Sequence, residues 1–64
     1  MARLKEVELK RHGCVSLVSR MYPDDTLFDY VVYVNVDGKS YSYGFGDAYD
    51  IALKTYDEQV ANLG

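Results

Sequence analysis

The sequence predicts an α+β fold, an antiparallel β-meander of three to four strands packed against one C-terminal α-helix, in the order β-β-β-β-α. Three observations predict it. Apolar and polar residues alternate from Arg3 to Arg11, and Phe28–Val36 is dense in Val and Tyr; both suit the pleated surface of a strand. Asp37-Gly38 then separates that stretch from a second tyrosine-bearing run, and both residues tolerate the positive φ that a two-residue hairpin loop requires. After Gly46 the apolar period lengthens to that of a helix, with Tyr49, Ala52, Leu53, Tyr56, Val60 and Leu63 forming one stripe.

The first strand, Arg3 to Arg11, places Val7 and Leu9 on one face and Glu6, Glu8 and Lys10 on the other. His12-Gly13 reads as a turn, and Cys14 to Met21 as a second strand with Val15 and Leu17 pointing one way. Tyr22-Pro23-Asp24-Asp25-Thr26 is a loop, because Pro presets one turn angle and Asp side chains bond nearby amides. The third strand is Phe28–Val36, and Lys39–Phe45 returns beside it. A two-residue loop at Asp37-Gly38 sets the register, so that Val36 faces Lys39, Val34 faces Tyr41, Val32 faces Tyr43 and Tyr30 faces Phe45. Tyr30, Val32, Val34, Val36, Tyr41, Tyr43 and Phe45 form the core face. The other face holds Val31, Tyr33, Asn35, Ser40, Ser42 and Gly44 and is mostly polar. The helix is expected to start at Asp47 as its N-cap, with Asp50 at the positive end of the dipole, Lys54 placed to pair with Asp50, and Gly64 at its end.

The 64 residues fit one domain spanning 1–64. A chain of this size buries only about 60% of the surface its unfolded form exposes, so it has little stability to spare. Cys14 is the single cysteine, which excludes an internal disulfide, and with His12 it makes too few soft ligands for a closed zinc site. No metal or other cofactor is expected. The start lacks the apolar segment of a secretory signal, Ala2 follows Met1 where myristoylation needs glycine, and the apolar run Tyr30–Val34 is too short to span a bilayer. With one free thiol, the expected compartment is the reducing cytoplasm.

The net charge of −3 conceals a split. Residues 1–20 carry Arg3, Lys5, Lys10, Arg11 and Arg20 against Glu6 and Glu8, a balance of +3. Residues 21–64 carry Lys39 and Lys54 against Asp24, Asp25, Asp29, Asp37, Asp47, Asp50, Asp57 and Glu58, a balance of −6. Such asymmetry reads either as two differently charged surfaces or as unevenly spread solubility charge. A second expectation comes from size. A helix about 10 Å wide does not cover four strands spread over about 15–19 Å. Apolar surface from Val7, Leu9, Tyr41, Tyr43 or Phe45 should stay near solvent, and exposed apolar patches mark interaction sites.

None of the chemistry-bearing motifs is specific. His12 and Cys14 flank a turn with no third group to orient them. Asp24, Asp25 and Asp29 have oxygen ligands but not the spacing of a calcium loop. Gly44-Phe45-Gly46 ahead of a helix suits a phosphate cradle, yet Asp47 and Asp50 place negative charge where the phosphate would sit. A strand, then Asp37-Gly38-Lys39, Tyr41, Gly44-x-Gly46 and a helix resembles the last two strands and final helix of a double-stranded-RNA-binding domain, over about half of the chain. The resemblance implies a phosphate-gripping lysine cluster at the start of that helix. Asp47-Ala48-Tyr49-Asp50 stands there instead, and strand-like alternation replaces the leading helix of that family. Acids do not neutralise phosphates, so direct nucleic-acid binding is disfavoured.

The expected function is therefore a small non-enzymatic protein-binding module, an inhibitor or regulator of the kind phages and mobile elements use. Its partner surface would be acidic (Asp24, Asp25, Asp29, Asp47, Asp50, Asp57 and Glu58) with an aromatic contact or dimer surface at Tyr33, Tyr41 and Tyr43. In its sharpest form the acids imitate nucleic acid and engage a protein partner with a basic nucleic-acid-binding groove. Two alternatives stay open: a nucleic-acid-binding domain using the basic N-terminal strands, and a homodimeric structural subunit.

Overall fold

Four antiparallel strands lie side by side in chain order, and one helix packs across the middle pair. The computed structural model describes residues 3–63. The elements are β1 (Lys5–His12), β2 (Val15–Met21), β3 (Leu27–Val36), β4 (Lys39–Gly44) and α1 (Tyr49–Leu63), and the sheet order is β1-β2-β3-β4. The α+β meander with its C-terminal helix is the architecture expected from the residue pattern. The expected stop at Gly64 lies outside the described residues.

The hairpin between β3 and β4 has the register that Asp37-Gly38 dictates. Val36 faces Lys39, Val34 faces Tyr41 and Val32 faces Tyr43, with φ of 52° at Asp37 and 77° at Gly38. Past Gly44 the ladder closes with one residue extra. Phe45 donates its N–H to the Tyr30 carbonyl, whereas the Tyr30 N–H donates to Gly46.

One turn and one strand differ from the sequence expectation. His12 remains in β1 opposite Val15, so the first loop is Gly13-Cys14, with Gly13 at φ 59°. In β1 itself, Glu8 faces Val18 and the next paired residue, Lys10, faces Leu17, which leaves Leu9 in a β-bulge. A bulge inverts the face of everything after it. Val7 therefore shares the helix side with Lys10 and His12, where simple alternation puts Val7 and Leu9 together and Lys10 opposite.

The helix start also moves. The first intrahelical bond runs from the Ala52 N–H to the Ala48 carbonyl, which makes Ala48 the N-cap. Asp47 lies one residue earlier, inside a turn closed by the Ala48 N–H on the Phe45 carbonyl. The Tyr49 N–H bonds the Asp47 backbone carbonyl, and among the described residues no helix amide bonds the Asp47 carboxylate. Gly46, at φ 60°, bends the chain early enough to put the cap after Asp47.

The core consists of Val15 and Leu17 from β2, Val32 and Val34 from β3, and Ala52 and Tyr56 from α1, flanked by Cys14, Tyr30, Phe45, Leu53 and Val60. Tyr30 also meets the Tyr49 ring edge-on at 5.1 Å, fixing the start of α1 over β3. On the far side of the sheet Val18 and Val31 are buried without a helix above them. That face is drier than its serines and asparagine suggest.

Candidate interaction surface

The helix is narrower than the sheet. α1 packs on β2 and β3, while every residue of β1 and β4 is exposed. Tyr41 and Tyr43 stand on the helix side of β4, opposite Val34 and Val32, and keep 45% and 40% of their surface in solvent. At the other margin Val7 and Leu9 are comparably open. Phe45 is drawn in against the core. The exposed apolar surface expected from element dimensions is thus present at four of the five residues named, Val7, Leu9, Tyr41 and Tyr43.

Tyr33 does not join the other two tyrosines. It lies on the face away from α1, half-buried, where its hydroxyl donates to Glu6 Oε2 of β1 at 3.5 Å. Burial, and then the Glu6 charge, hold its phenol above the ordinary tyrosine range.

The acids separate into distinct environments. Asp24 lies in the β2–β3 loop, where its Oδ1 accepts from the Thr26 N–H at 3.0 Å; hydrogen bonding by the Thr26 side chain, and then by that N–H, holds its carboxyl below the usual range. Asp25, at φ 69°, makes an exposed ion pair of 2.8 Å with Lys5. Asp29 leaves the acidic surface altogether. It is 8% exposed, faces Arg20 across the β2–β3 ladder and accepts its guanidinium. Asp47, Asp50, Asp57 and Glu58 are all exposed. On α1, Asp50, Leu53, Lys54, Asp57, Glu58 and Ala61 line one open concavity of about 450 Å³. The Lys54 ammonium makes no ion pair with Asp50, although the four-residue spacing permits one.

Three of the five N-terminal cations face carboxylates. Lys5 is held by Asp25, Arg20 by Asp29, and Arg11 approaches Glu8 at 3.9 Å. His12 ends β1 in solvent, and the Cys14 thiol is free and half-buried in the adjoining turn. Among the described residues no group of three His, Cys, Asp or Glu side chains is placed to hold a metal ion. No helix of the described residues is long and apolar enough to cross a membrane. The sequence signals located the open margins, but the Arg20–Asp29 clasp was out of reach, because the β2–β3 register is set by packing and not by a two-residue loop.

No protein-family model, curated protein or solved structure matches this chain.

Proposed function

We propose that this chain is a small non-enzymatic protein-binding module, an inhibitor or regulator that occludes a protein partner. Its contact surface is the acid-bearing side of α1 together with the sheet margins that α1 leaves open. The observation that carries this reading is the mismatch between helix and sheet. Both margins on the helix side present large apolar side chains, Val7 at one and Tyr41 and Tyr43 at the other. Tyrosines in wet surroundings suit recognition, since the ring is apolar and the hydroxyl still bonds. The acids at Asp24, Asp47, Asp50, Asp57 and Glu58 favour a basic partner, and a nucleic-acid-binding groove is the sharpest form of that idea. Engagement of Lys5, Arg11 and Arg20 by carboxylates argues against the competing reading of phosphate binding by β1 and β2.

The test offers one cell extract to two immobilised proteins, the unaltered chain and an Asp50→Lys/Asp57→Lys/Glu58→Lys variant. A protein retained by the first and released by the second is the expected partner. Identical retention on both removes the acidic surface from recognition. Mimicry of nucleic acid further requires that binding weaken steeply as salt rises above about 0.1 M, where screening lengths fall below about 10 Å.

A further inference from the structure

The two margins of the sheet are finished differently. β1 carries charge at Lys5, Glu6, Glu8, Lys10 and Arg11 and is bulged at Leu9. Charge and bulges are the devices that stop an edge strand from recruiting another chain. β4 carries a single charge, at Lys39 beside the hairpin, and pairs with β3 without a register shift from Lys39 to Gly44. A straight, tyrosine-bearing edge is left with unpaired backbone groups.

The hairpin decides which groups those are. Val36 and Lys39 close the two-residue loop, and the Phe45 N–H reaches back to Tyr30. Lys39, Tyr41 and Tyr43 therefore turn their backbone groups towards β3, as Phe45 does its N–H. Alternate residues of an antiparallel strand face the opposite way, so Ser40, Ser42 and Gly44 offer theirs outward. A second β4, antiparallel and centred on Ser42, satisfies this set completely. Ser42 pairs with Ser42 of the other copy, and Ser40 with Gly44, as hydrogen-bonded pairs. Between them Tyr41 meets Tyr43 of the other copy in a non-hydrogen-bonded pair, where the Cα atoms approach to about 4.5 Å and side chains lie closest.

The side chains agree with this arrangement. Small residues oppose small residues on the far face, and tyrosine opposes tyrosine on the helix face. No like charges meet, since Lys39 falls opposite Phe45, two residues from Asp47 of the other copy. The two-fold axis stands perpendicular to the sheet, so both helices stay on one face. Each helix sits over β2 and β3, about two strand spacings from the seam, which puts the axes about 19 Å apart. Helices about 10 Å across then leave a channel about 9 Å wide, which the tyrosines of both copies floor and fill.

We propose that β4 is a self-association edge, through which two copies join by antiparallel pairing centred on Ser42 into one eight-stranded sheet. This assigns the tyrosine margin to a second copy and narrows the partner surface proposed above to the acid-bearing side of α1 and the β1 margin. It does not depend on what that partner is.

Sedimentation velocity of the full chain between about 1 and 500 μM tests it, because a self-associating chain gains mass with concentration. The expected result is a shift from 7.3 kDa towards twice that mass. Ser42→Pro deletes an outward N–H and touches no β3–β4 bond, so it should yield a monomer with an unchanged far-UV spectrum. If that variant does not fold, Tyr41→Lys/Tyr43→Lys decides, since it sets like charges across the seam and should also give a monomer. Leu9→Glu, on the guarded margin, should dimerise like the unaltered chain. The proposal is overturned if the unaltered chain stays monomeric throughout, or if the dimer survives the β4 changes. Loss of the dimer in Leu9→Glu overturns it too, as does growth beyond a dimer, which would mean head-to-tail joining of β1 to β4.

Discussion

Arg20 clasps Asp29 across neighbouring strands with two parallel hydrogen bonds, from Nε at 2.6 Å and from Nη2 to the second carboxylate oxygen. The Phe28 ring lies 5.4 Å from the guanidinium carbon and is itself met edge-on by Tyr22. The bonded carboxylate raises the Arg20 pKa further above its ordinary value. On the far face the clasp adjoins Val18 and Val31, which sit two residues away along the same strands. Arg20→Ala leaves a carboxylate buried and unpaired. A fully buried pair loses about 3–5 kcal/mol in this way, and because the Arg20 side chain keeps some solvent the expected loss is about 2–3 kcal/mol in urea unfolding. Replacing both partners by apolar residues, Arg20→Met/Asp29→Leu, should cost less than Arg20→Ala. An equal or larger loss in the double variant would mean that the clasp is not what makes Arg20→Ala costly.

The core and the margins should respond very differently to truncation. Leu17 is fully buried beneath α1, and Leu17→Ala should destabilise by about 2–5 kcal/mol through lost burial and a residual cavity. Val7→Ala, at the open margin, should cost less than about 1 kcal/mol. Equal effects would mean that α1 covers β1 in solution.

Gly38 tests the hairpin. Its φ of 77° is open to glycine and strained for other residues. A Cβ there meets no neighbouring atom within 4 Å, so the penalty is conformational and not steric crowding. Gly38→Ala should cost about 1–2 kcal/mol, and the variant's chemical-shift changes should centre on Val36 and Lys39. Changes confined to α1 would contradict this.

Two groups tie stability to pH in opposite directions. Asp24 has a lowered folded-state pKa, so its contribution is present above about pH 4 and is lost as pH falls through the lower folded value. Asp24→Ala should be less stable than the unaltered chain at pH 7 and equal to it at strongly acidic pH. Tyr33 has a raised folded-state pKa, so its contribution is present below about pH 10 and is lost as pH rises through the higher folded value. Tyr33→Phe should flatten the alkaline limb of the stability profile. An unchanged limb would place the raised pKa elsewhere.

The parts legible in the sequence were those governed by local chemistry. Asp37-Gly38 specified a loop of two residues, and loop length alone fixed the register of Tyr41 and Tyr43. Their exposure followed from the widths of helix and sheet. What was not legible depended on non-local packing. Leu9 alternates correctly with its neighbours, and its bulge arises only in pairing with β2. Asp47 is a good capping residue by type, but the Gly46 turn delivers Ala48 to that position. Asp29 reads as one more surface acid until the β2–β3 ladder sets it opposite Arg20. That pairing follows a five-residue loop (Tyr22–Thr26), which permits several registers.

The placement of α1 over the two central strands also divides the sheet by rate of opening. Amides of β2 and β3 are bonded on both sides and roofed by the helix, whereas β1 and β4 are held from one side and bare. Hydrogen exchange should therefore find a slow spine with two fast margins. Anything that seats on a margin takes hold of the part of the molecule that opens most often. Its arrival would register first as a slowing of exchange in β1 or β4, before any change of shape.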